Sequence, residues 1–423
     1  MSREQETEVL VVGAGPVGML TALLLSENGI RVRIIDKEER TAAHSYACAL
    51  HPRTLKLLDR LALCSDLMAV GRRIETVAFY EGEFRRAEMN LSRLPVDFPY
   101  LVILPQSALE NLLEQRLRRD KGVKVEWSHR LSNVDPQSQA VVAGIDKLCE
   151  TSKGYIIREL DWEVQKTLRC RAQFVVGTDG YDSFVRNSLG IEHESVSEPD
   201  TFAVYEFETD GQYPNEARIV MDDATINGFW PVTDHKCRWT LQVADGDDLE
   251  ESHMKERSDV VVVDQAVDVS TLQHVRQKIQ ERAPWFSGSV KQLDWSVDVQ
   301  FEARFAKHFG QGRCWLAGDA AHQTAPFGMQ SLNVGLLEAE QLAGTLTKIL
   351  RQNGSMDLLE AYDRSRRNEW QHLLGVKGGL RPRNGVAPWV KERSSRILPC
   401  VPGSGEDLAR LVNQLGLDFH TGE

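Results

Sequence analysis

Glycine and aspartate residues placed directly after short apolar stretches are the residues of this chain best suited to bind a charged ligand. The first group is Gly13-Ala14-Gly15-Pro16-Val17-Gly18, which follows Val9-Leu10-Val11-Val12. The first glycine of such a group permits a tight turn, the second lets a pyrophosphate approach the backbone, and the third lets a helix pack closely. A carboxylate, Asp36, ends the next apolar segment and can accept hydrogen bonds from a ribose. This arrangement predicts a dinucleotide site.

The elements around this first group are those that a dinucleotide-binding βαβ unit requires. The pattern predicts a buried strand over residues 9–12, a helix over residues 16–28 that ends at Gly29, and a second strand over residues 30–36. At the start of a helix, N–H groups and the helix dipole favour negative charge. A glycine-rich turn without a ligand is the alternative, but the complete pattern of strand, turn, helix and acid favours a ligand site.

Two further groups repeat the placement of glycine and aspartate after a strand pattern. Gly177-Thr178-Asp179-Gly180 follows Phe174-Val175-Val176, and Gly318-Asp319-Ala320-Ala321-His322 follows Trp315-Leu316-Ala317. Open α/β sheets bind ligands at the carboxyl ends of their strands. After the last group, residues 326–333 lead into an apolar pattern of helical period that extends to residue 349. A loop that enters a helix in this way can present N–H groups to a phosphate or an electron-rich ring.

Composition limits the classes of partner. The chain has 423 residues and a formal net charge of -12, so it is long enough for two or three domains and would repel the phosphates of nucleic acid. Its seven cysteines include no Cys-x-x-Cys pair, so we expect no disulfide framework, no metal site and a cytoplasmic location. The polar residues 1–8 form no secretory signal, and the apolar stretch 19–25 is too short to cross a membrane. We expect no membrane partner, and a monomer or homodimer.

Strand and helix patterns divide the chain into interleaved parts. Dinucleotide-domain patterns occupy residues 1–70, 105–190 and 305–350, and short alternating segments typical of antiparallel strands fill residues 71–104 and 191–304. Residues 351–423 carry helix patterns. The predicted fold class is α/β, with a Rossmann-like dinucleotide-binding domain interleaved with an antiparallel β-sheet substrate domain and followed by C-terminal helices.

In this order, the three groups resemble the sequence pattern of the group A flavoprotein monooxygenases, the family of p-hydroxybenzoate and phenol hydroxylases. That pattern consists of GxGxxG with a ribose-binding acid, a DG motif like the run Gly177 to Arg186, and a GD motif like the run that starts at Gly318. The resemblance covers about residues 1–350. It implies FAD as the bound dinucleotide, and NAD(P)H and molecular oxygen as co-substrates. It also implies hydroxylation of an aromatic or polyketide-like small molecule through a C4a-hydroperoxyflavin.

The resemblance also implies roles for individual residues along the cofactor. At the adenosine end, Gly13, Gly15 and Gly18 would hold the pyrophosphate. Asp36 would hold the adenosine ribose, and the backbone of Leu131 would meet the adenine.

At the flavin end of the cofactor, the implied residues come from later segments. Gln106 matches a Gln or Arg near the flavin, Asp179 belongs to the motif tied to both FAD and NAD(P)H, and Asp319 matches the acid that binds the ribityl or ribose portion. Leu332 and Asn333 would offer backbone groups near the isoalloxazine ring. No catalytic base is implied, because the family has no universal one. The cofactor-binding set also includes four flanking residues of the same motifs: Pro16, Lys37, Gly318 and Gly328.

The chain departs from the family pattern around the loop before the last dinucleotide-domain helix. Ala325 replaces the first residue of a Pro-Pro pair, Met329 and Ser331 stand where glycine is common, and Glu338 stands where aspartate is common. These changes leave less room for a mobile flavin. Two alternatives to hydroxylation stay open: Baeyer–Villiger insertion or epoxidation by the same flavin chemistry, and a catalytically inactive FAD-binding protein.

Several of these residues also have ordinary structural interpretations. Asp36 can end a strand, and Asp179 and Asp319 can bond their own backbone in turns. His51 and His322 can each be structural or functional. Aromatic residues of the middle region can line a substrate pocket or fill the core, namely Phe229, Trp230, Trp239, Trp285 and Trp295.

Overall fold

A computed structural model describes residues 5–40, 49–153, 159–244 and 269–420. Within these residues the strands, in chain order, are β1 Gln5–Val12, β2 Val32–Ile35, β3 Ala49–Leu50, β4 Arg72–Ile74, β5 Thr76–Glu81, β6 Phe84–Asn90, β7 Leu101–Ile103, β8 Val125–Glu126, β9 His129–Pro136, β10 Val141–Lys153, β11 Glu159–Gly177, β12 His193–Ser195, β13 Asp200–Glu208, β14 Glu216–Met221, β15 Ile226–Pro231, β16 Lys236–Gln242, β17 Leu293–Phe301, β18 Arg304–Ala306, β19 Gly310–Gln311, β20 Cys314–Leu316, β21 His322–Gln323, β22 Gly379–Pro382 and β23 Leu417–His420. The α-helices are α1 Pro16–Glu27, α2 Pro52–Arg60, α3 Cys64–Val70, α4 Gln106–Arg116, α5 Phe184–Ser188, α6 Val269–Arg282, α7 Gln330–Gln352, α8 Asp357–Leu373, α9 Pro388–Glu392, α10 Ser394–Ile397 and α11 Gly405–Gln414. A π-helical turn spans Leu117–Lys121, and short 3₁₀ turns span Leu91–Arg93, Gly318–Ala320 and Leu398–Cys400.

The first sheet contains the predicted dinucleotide-binding strands. Its order is β19-β20-β11-β1-β2-β8, with β10 beside β11 and β9 beside β10. The strands β20, β11, β1, β2 and β8 run parallel. The apolar run Val9 to Val12 is buried, as expected of a central parallel strand that is covered on both faces. The predicted βαβ unit is present in this sheet.

The carboxyl ends of four neighbouring parallel strands lie in register. Val12 at the end of β1 pairs with Gly177 of β11 on one side and with Ile35 of β2 on the other. Gly177 pairs in turn with Leu316 of β20. The three predicted motifs and Asp36 therefore leave the sheet at one common edge.

The second sheet has the order β17-β13-β16-β15-β14-β5-β6. Its neighbouring strands are antiparallel except β14 and β5, which run parallel. The sheet combines strands from the predicted ranges 71–104 and 191–304, which agrees with the expected α/β class. In contrast, β4 and β7, from the first of these ranges, lie in a separate small sheet, in which β7 is the central strand and pairs with both β3 and β4. The division into domains stays a prediction.

The C-terminal region, expected to be helical, contains α8 to α11 and also one pair of strands. β22 and β23 pair antiparallel although they are far apart in sequence. Gly379 has φ +131° and Pro382 ends the strand, so this stretch is unsuited to a helix. Helical periodicity alone did not reveal this long-range pairing.

Candidate functional site

The glycine-rich loop after β1 shows which of its glycines are required by the fold. Gly13 has φ +98°, and a Cβ on it would overlap the carbonyl oxygen of Thr178. A Cβ on Gly18 would overlap the carbonyl oxygen of Gly13. A Cβ on Gly15, by contrast, would meet no atom within 4 Å. The space beside Gly15 is open, as the approach of a pyrophosphate requires.

The start of α1 supplies donors to this open space. Pro16 is the first helical residue and has no N–H group, which suits a position without an intrahelical acceptor. The N–H of Met19 donates to the carbonyl oxygen of Gly15 at 3.0 Å and begins the helical ladder. The N–H groups of Val17 and Gly18 precede that bond, so they have no intrahelical acceptor and suit an anion.

Thr178 of the DG motif braces the glycine-rich loop. Its hydroxyl lies 2.9 Å from the carbonyl oxygens of both Val12 and Gly13. Its N–H donates to the carbonyl oxygen of Val12 at 2.8 Å. Thr178 is visible in the sequence as part of the DG motif, but this role depends on the pairing of β1 with β11, which no local pattern shows.

Asp36 lies beside the glycine-rich loop, where its carboxylate supports the backbone. One oxygen accepts the N–H of Ala14 at 2.5 Å, and the other accepts the N–H of Glu38 at 2.9 Å. These contacts agree with the structural interpretation of Asp36 as a residue that ends a strand. A carboxylate has about four lone-pair sites, so a ribose hydroxyl can still be accepted.

Three other expected cofactor residues lie on neighbouring elements. The N–H of His129 donates to the carbonyl oxygen of Asp36 at 2.7 Å, and Leu131 follows in β9 with its side chain buried. Lys37 is exposed next to Asp36. Gln106 is the first residue of α4, and its amide donates to a carboxylate oxygen of Glu110 at 2.7 Å. The structure thus brings Lys37 and Leu131 to Asp36, whereas Gln106 starts a separate helix.

Asp179 of the DG motif caps the short helix α5. Its carboxylate accepts the hydroxyl of Ser183 at 2.6 Å and the N–H of Val185 at 3.1 Å. Burial raises the pKa of Asp179, although these hydrogen bonds favour the charged form. Arg186 of the same helix donates to the carbonyl oxygen of Ala320 at 3.0 Å and so joins the DG motif to the GD motif. The local-turn interpretation of Asp179 accounts for these contacts.

The GD turn is held by a buried carboxylate that the sequence analysis noted only as a departure from the family pattern. Glu338 accepts the N–H of Gly318 at 2.9 Å and the indole N–H of Trp370 at 2.7 Å, and it lies 2.8 Å from the His322 imidazole. Glu338 and His322 are fully buried. Burial opposes the charge of Glu338, but His322 and the hydrogen bonds hold its pKa below the ordinary value. This network fixes the turn that carries Asp319.

The flavin loop, defined here as residues 325–333, ends at the start of α7. Met329 has φ +51°, so the loop keeps the left-handed conformation that glycine usually provides there. Its carbonyl oxygen accepts the N–H of Asn333 at 3.4 Å. The N–H groups of Gln330, Ser331 and Leu332 precede this bond and have no intrahelical acceptor. Within the described part of the chain, the buried hydroxyl oxygen of Ser331 also has no hydrogen-bond partner.

Asn333 and His51 fasten the flavin loop to the start of α2. The side chain of Asn333 accepts the N–H of His51 at 2.7 Å and donates to the carbonyl oxygens of Ala49 and Met329 at 2.9 and 2.8 Å. The His51 Nε2 lies 2.8 Å from the carbonyl oxygen of Gly328. Burial lowers the pKa of His51 to about 3, so the imidazole is neutral and donates from Nε2. Both side chains therefore support the loop.

The C-terminal segment, defined as residues 398–404, backs the flavin loop from the other side. The N–H of Gly328 donates to the carbonyl oxygen of Pro399 at 2.8 Å, and the Gln330 amide donates to that of Val401 at 3.2 Å. A Cβ on Gly328 would lie 2.7 Å from the Pro399 oxygen. This support was not predicted from the sequence, because no local pattern indicates a contact between segments so far apart.

The second sheet has two different faces. On its outer face, Phe229, Trp239 and Trp285 pack with α6, and the ring centroids of the two tryptophans lie 5.7 Å apart. Side chains alternate along a strand, so Trp230 points to the opposite, inner face. Trp295 pairs with Glu206 and shares the inner face. Of the predicted aromatic set, three residues fill the core beneath α6 and two lie on the inner face.

The inner face meets the flavin loop through Phe327. The ring of Phe327 lies 5.4 Å from that of Phe202, and a Cβ on Gly228 would lie 3.0 Å from it. Gly228 therefore leaves room for the loop to rest on the sheet. Further along this face, Arg238 and Glu206 form a buried ion pair with a closest distance of 2.6 Å.

Taken together, these loops and helix starts fit an extended flavin dinucleotide. The open space at Gly15, the helix-start N–H groups of α1 and α7, and the unpartnered hydroxyl of Ser331 lie on segments that the first sheet gathers. Such an arrangement defines a dinucleotide-binding flavoprotein with a separate substrate sheet.

Comparisons with known proteins agree with this class. A family model described as "FAD binding domain" matches residues 6–375. The chain is 30% identical over 369 residues to para-nitrophenol 4-monooxygenase of Pseudomonas sp. (strain WBC-3), covering 85% of this chain and 82% of that protein. It is 26% identical over 387 residues to 6-methylpretetramide 4-monooxygenase of Streptomyces rimosus, covering 90% of this chain and 63% of that protein. The chain thus spans most of the first relative but less than two thirds of the second.

A solved structure shows the same fold. The crystal structure of p-nitrophenol 4-monooxygenase from Pseudomonas putida DLL-E4 matches with a TM-score of 0.73 and 22% identity, covering 97% of this chain and 94% of that one. The chain therefore belongs to the FAD-binding domain family of the phenol hydroxylase type, and its enzyme class is that of the FAD-dependent monooxygenases. The expected fold class and the expected cofactor, FAD, are confirmed.

Among the helices that the structure describes, none combines the length and the apolar character needed to cross a bilayer.

Proposed function

We propose that this protein uses NAD(P)H and molecular oxygen to hydroxylate an aromatic or polyketide-like small molecule. The observation that carries the proposal is the gathering of three nucleotide motifs at one sheet edge, with the flavin loop resting on the inner face of a second sheet. The relatives described above are named for the 4-monooxygenation of para-nitrophenol and of 6-methylpretetramide, which supports an aromatic substrate class.

In this proposal each part of FAD has its own set of residues. The N–H groups of Val17 and Gly18 would hold the pyrophosphate beside Gly15, and Asp36 would accept the adenosine ribose, with Lys37 and the Leu131 backbone nearby. These contacts use the open space and the helix dipole at the start of α1.

The flavin half of FAD would be held by the GD turn and by the start of α7. Asp319 would hold the ribityl chain, and Glu338 positions the turn that carries Asp319 through its hydrogen bond with Gly318. The N–H groups of Ser331 and Leu332 would donate to the electron-rich end of the isoalloxazine ring, because a helix start favours negative charge. Asn333 acts through its side chain by holding the loop in this orientation.

The chemistry that FAD supplies when bound is acceptance of a hydride from NAD(P)H and transfer of one atom of molecular oxygen to the substrate. The protein's part is to place the substrate and exclude water. Val204 and Thr240 pair on the inner face of the second sheet, Phe327 of the flavin loop contacts Phe202 of that face, and Val204, Thr240 and Phe327 are all buried. An electron-rich ring held against this inner face would be protected from bulk water.

The conformation of the flavin loop bears on the alternative of an inactive FAD-binding protein. Met329 adopts the left-handed conformation expected of the usual glycine, and Asn333 and His51 hold the loop on both sides. The altered residues therefore fit the loop shape, and this favours a working enzyme over an inactive one. Baeyer–Villiger insertion or epoxidation would be recognised from the product.

The test is a visible spectrum of the purified protein followed by oxygen-consumption assays. We expect a yellow protein whose NADH or NADPH oxidation is stimulated by phenols or polyketide-like quinones, with ¹⁸O from ¹⁸O₂ in the product. Asp319→Asn is expected to weaken FAD binding, whereas the exposed Asp97→Asn is the matched control and should not. A yellow protein that consumes no oxygen with any aromatic acceptor would contradict hydroxylation.

A further inference from the structure

The indole N–H of Trp230 is a buried donor that the fold leaves without an acceptor. Trp230 is 1% exposed, and its Nε1 has no hydrogen-bond partner among the residues that the structure describes. A buried tryptophan usually places its N–H against an acceptor, because burying an unpaired donor is costly. A bound ligand could supply the acceptor that this donor lacks.

The position of this donor is fixed by Gly228. A Cβ on Gly228 would lie 3.1 Å from the Trp230 Nε1 and 3.0 Å from the nearest ring atom of Phe327. The donor therefore lies where the inner face of the second sheet meets the flavin loop. This is also where the proposed function requires a substrate.

The neighbours of Trp230 on the inner face do not meet its need for an acceptor. Arg238 pairs with Trp230 across the strands, but a guanidinium group only donates. The Nε and Nη2 atoms of Arg238 donate to one oxygen of Glu206 at 3.0 and 2.6 Å. On the other side of Gly228 lies the apolar Ile219.

We propose that the Trp230 indole N–H donates to an oxygen substituent of the aromatic substrate, such as a hydroxyl, phenolate, nitro or carbonyl oxygen. This inference rests on the proposed function and narrows its substrate class to oxygen-substituted rings. Trp230 is then a specificity-determining residue that orients the ring against the flavin loop. A site built to donate to an oxygen discriminates against the analogue that lacks it, because the buried donor is then left unpaired.

The chain offers a matched control for this donor. Trp239 is also fully buried and its Nε1 also has no partner within the described residues, but it lies on the outer face beneath α6. Trp230→Phe and Trp239→Phe therefore remove the same N–H group from opposite faces of one sheet. Only the first should affect substrate binding.

The experiment measures ligand dissociation constants from the change in flavin absorbance of the FAD-loaded protein. The ligands are two isosteric pairs, 4-chlorophenol with 4-chlorotoluene and 2-naphthol with 2-methylnaphthalene. We expect Trp230→Phe to weaken binding of the two oxygen-bearing ligands about tenfold, the loss of one neutral hydrogen bond, and to change binding of the methyl analogues less than about twofold. Trp239→Phe should leave all four dissociation constants within about twofold of the wild type.

A second measurement needs no substitution at Trp230. In a ¹⁵N-indole spectrum of the wild-type protein, one tryptophan N–H signal should move downfield when 4-chlorophenol or 2-naphthol binds, and that signal should persist in Trp239→Phe. If the wild type binds these ligands but no indole signal moves, or if Trp230→Phe weakens both members of a pair equally, the inference is overturned and the proposed function is not. If the wild type binds and oxidises no aromatic ligand, the proposed function fails and takes this inference with it.

Discussion

The starts of α1 and α7 are expected to perform the same task with different residues. At α1, glycine occupies each position of the fingerprint, and a Cβ would overlap backbone atoms at Gly13 and Gly18. At α7, the loop accommodates Met329 in a left-handed conformation and adds the side chains of Asn333 and His51 as supports. The loop before α1 needs glycines that no larger residue could replace, whereas the loop before α7 has a methionine in the left-handed position and gains side-chain hydrogen bonds from Asn333 and His51.

The difference shows which glycines of a nucleotide-binding motif cannot be replaced by a larger residue. Where backbone or side-chain atoms of another segment fill the place of a Cβ, as at Gly18, any larger residue must push two segments apart. Where glycine serves only for its left-handed φ, another residue can adopt that φ at a cost of about 1–2 kcal/mol. The buried side chain of Met329 shows the second case.

Gly18→Ala should have the largest effect. Its Cβ would overlap the Gly13 carbonyl oxygen and lie 2.6 Å from the Thr178 hydroxyl, so the loop and the DG motif would have to separate. We expect the free energy of unfolding of the FAD-free protein to fall by about 3 kcal/mol or more, measured by urea denaturation. Gly344→Ala, in the middle of α7 with no atom within 4 Å of its Cβ, is the control and should not destabilise. Equal stability of Gly18→Ala and wild type would refute the packing argument.

Gly15→Ala should separate ligand binding from folding. Its Cβ would meet no atom within 4 Å, so the unfolding free energy of the FAD-free protein should change by less than about 0.5 kcal/mol. The methyl group would occupy the space proposed for the pyrophosphate and displace its hydrogen bonds, so FAD should bind about 10- to 100-fold more weakly. Titration of the apoprotein with FAD measures this. Unchanged FAD affinity would place the pyrophosphate elsewhere.

Gly328→Ala should disturb the other helix start through the C-terminal segment. A Cβ there would lie 2.7 Å from the carbonyl oxygen of Pro399 and 2.9 Å from that of Val401. We expect a loss of about 1–2 kcal/mol in unfolding free energy and faster hydrogen exchange over residues 398–404. Gly344→Ala again serves as the control within the same helix region. Unaltered exchange in the C-terminal segment would show that it does not back the loop.

At neutral pH His51 should give the smallest effect, because its influence on stability is a pH dependence that appears only below about pH 6.5. Its pKa is lowered from 6.5 to about 3 in the folded protein, so between these values the unfolded state binds the proton and the folded state does not. The contribution of His51 to unfolding free energy should therefore fall by about 1.4 kcal/mol for each pH unit below 6.5. His51→Gln cannot titrate, so the difference between wild type and variant isolates this slope. Parallel stability curves would mean that His51 is not the titrating group.

The parts of the fold that the sequence predicted are those encoded locally. The strand, turn and helix around Gly13 to Gly18 are contiguous, and the DG and GD motifs each follow an apolar strand pattern. The carboxyl ends of parallel strands lie at the same edge of a sheet. A parallel sheet therefore predicts that the three motifs lie close together.

The parts that the sequence could not predict depend on contacts between distant segments. The sequence shows that position 338 carries a glutamate. Its hydrogen bonds with Gly318 and Trp370, however, can be predicted only when the positions of α7 and α8 are known. The alternation of Phe229 and Trp230 put them on opposite faces, yet only the position of α6 decides which face is core. A motif alone also does not reveal the structural contacts of its residues. Asp179, for example, caps α5 by accepting hydrogen bonds from Ser183 and Val185.

The backing of the flavin loop by Pro399 and Val401 has a consequence for engineering. A chain shortened after α8 would retain all three nucleotide motifs and the whole substrate sheet, yet its loop would lose the surface on which Gly328 rests. Likewise, a chimera that takes its flavin loop from another hydroxylase would also need the C-terminal segment of that same hydroxylase. The flavin loop and the C-terminal segment should therefore be exchanged together.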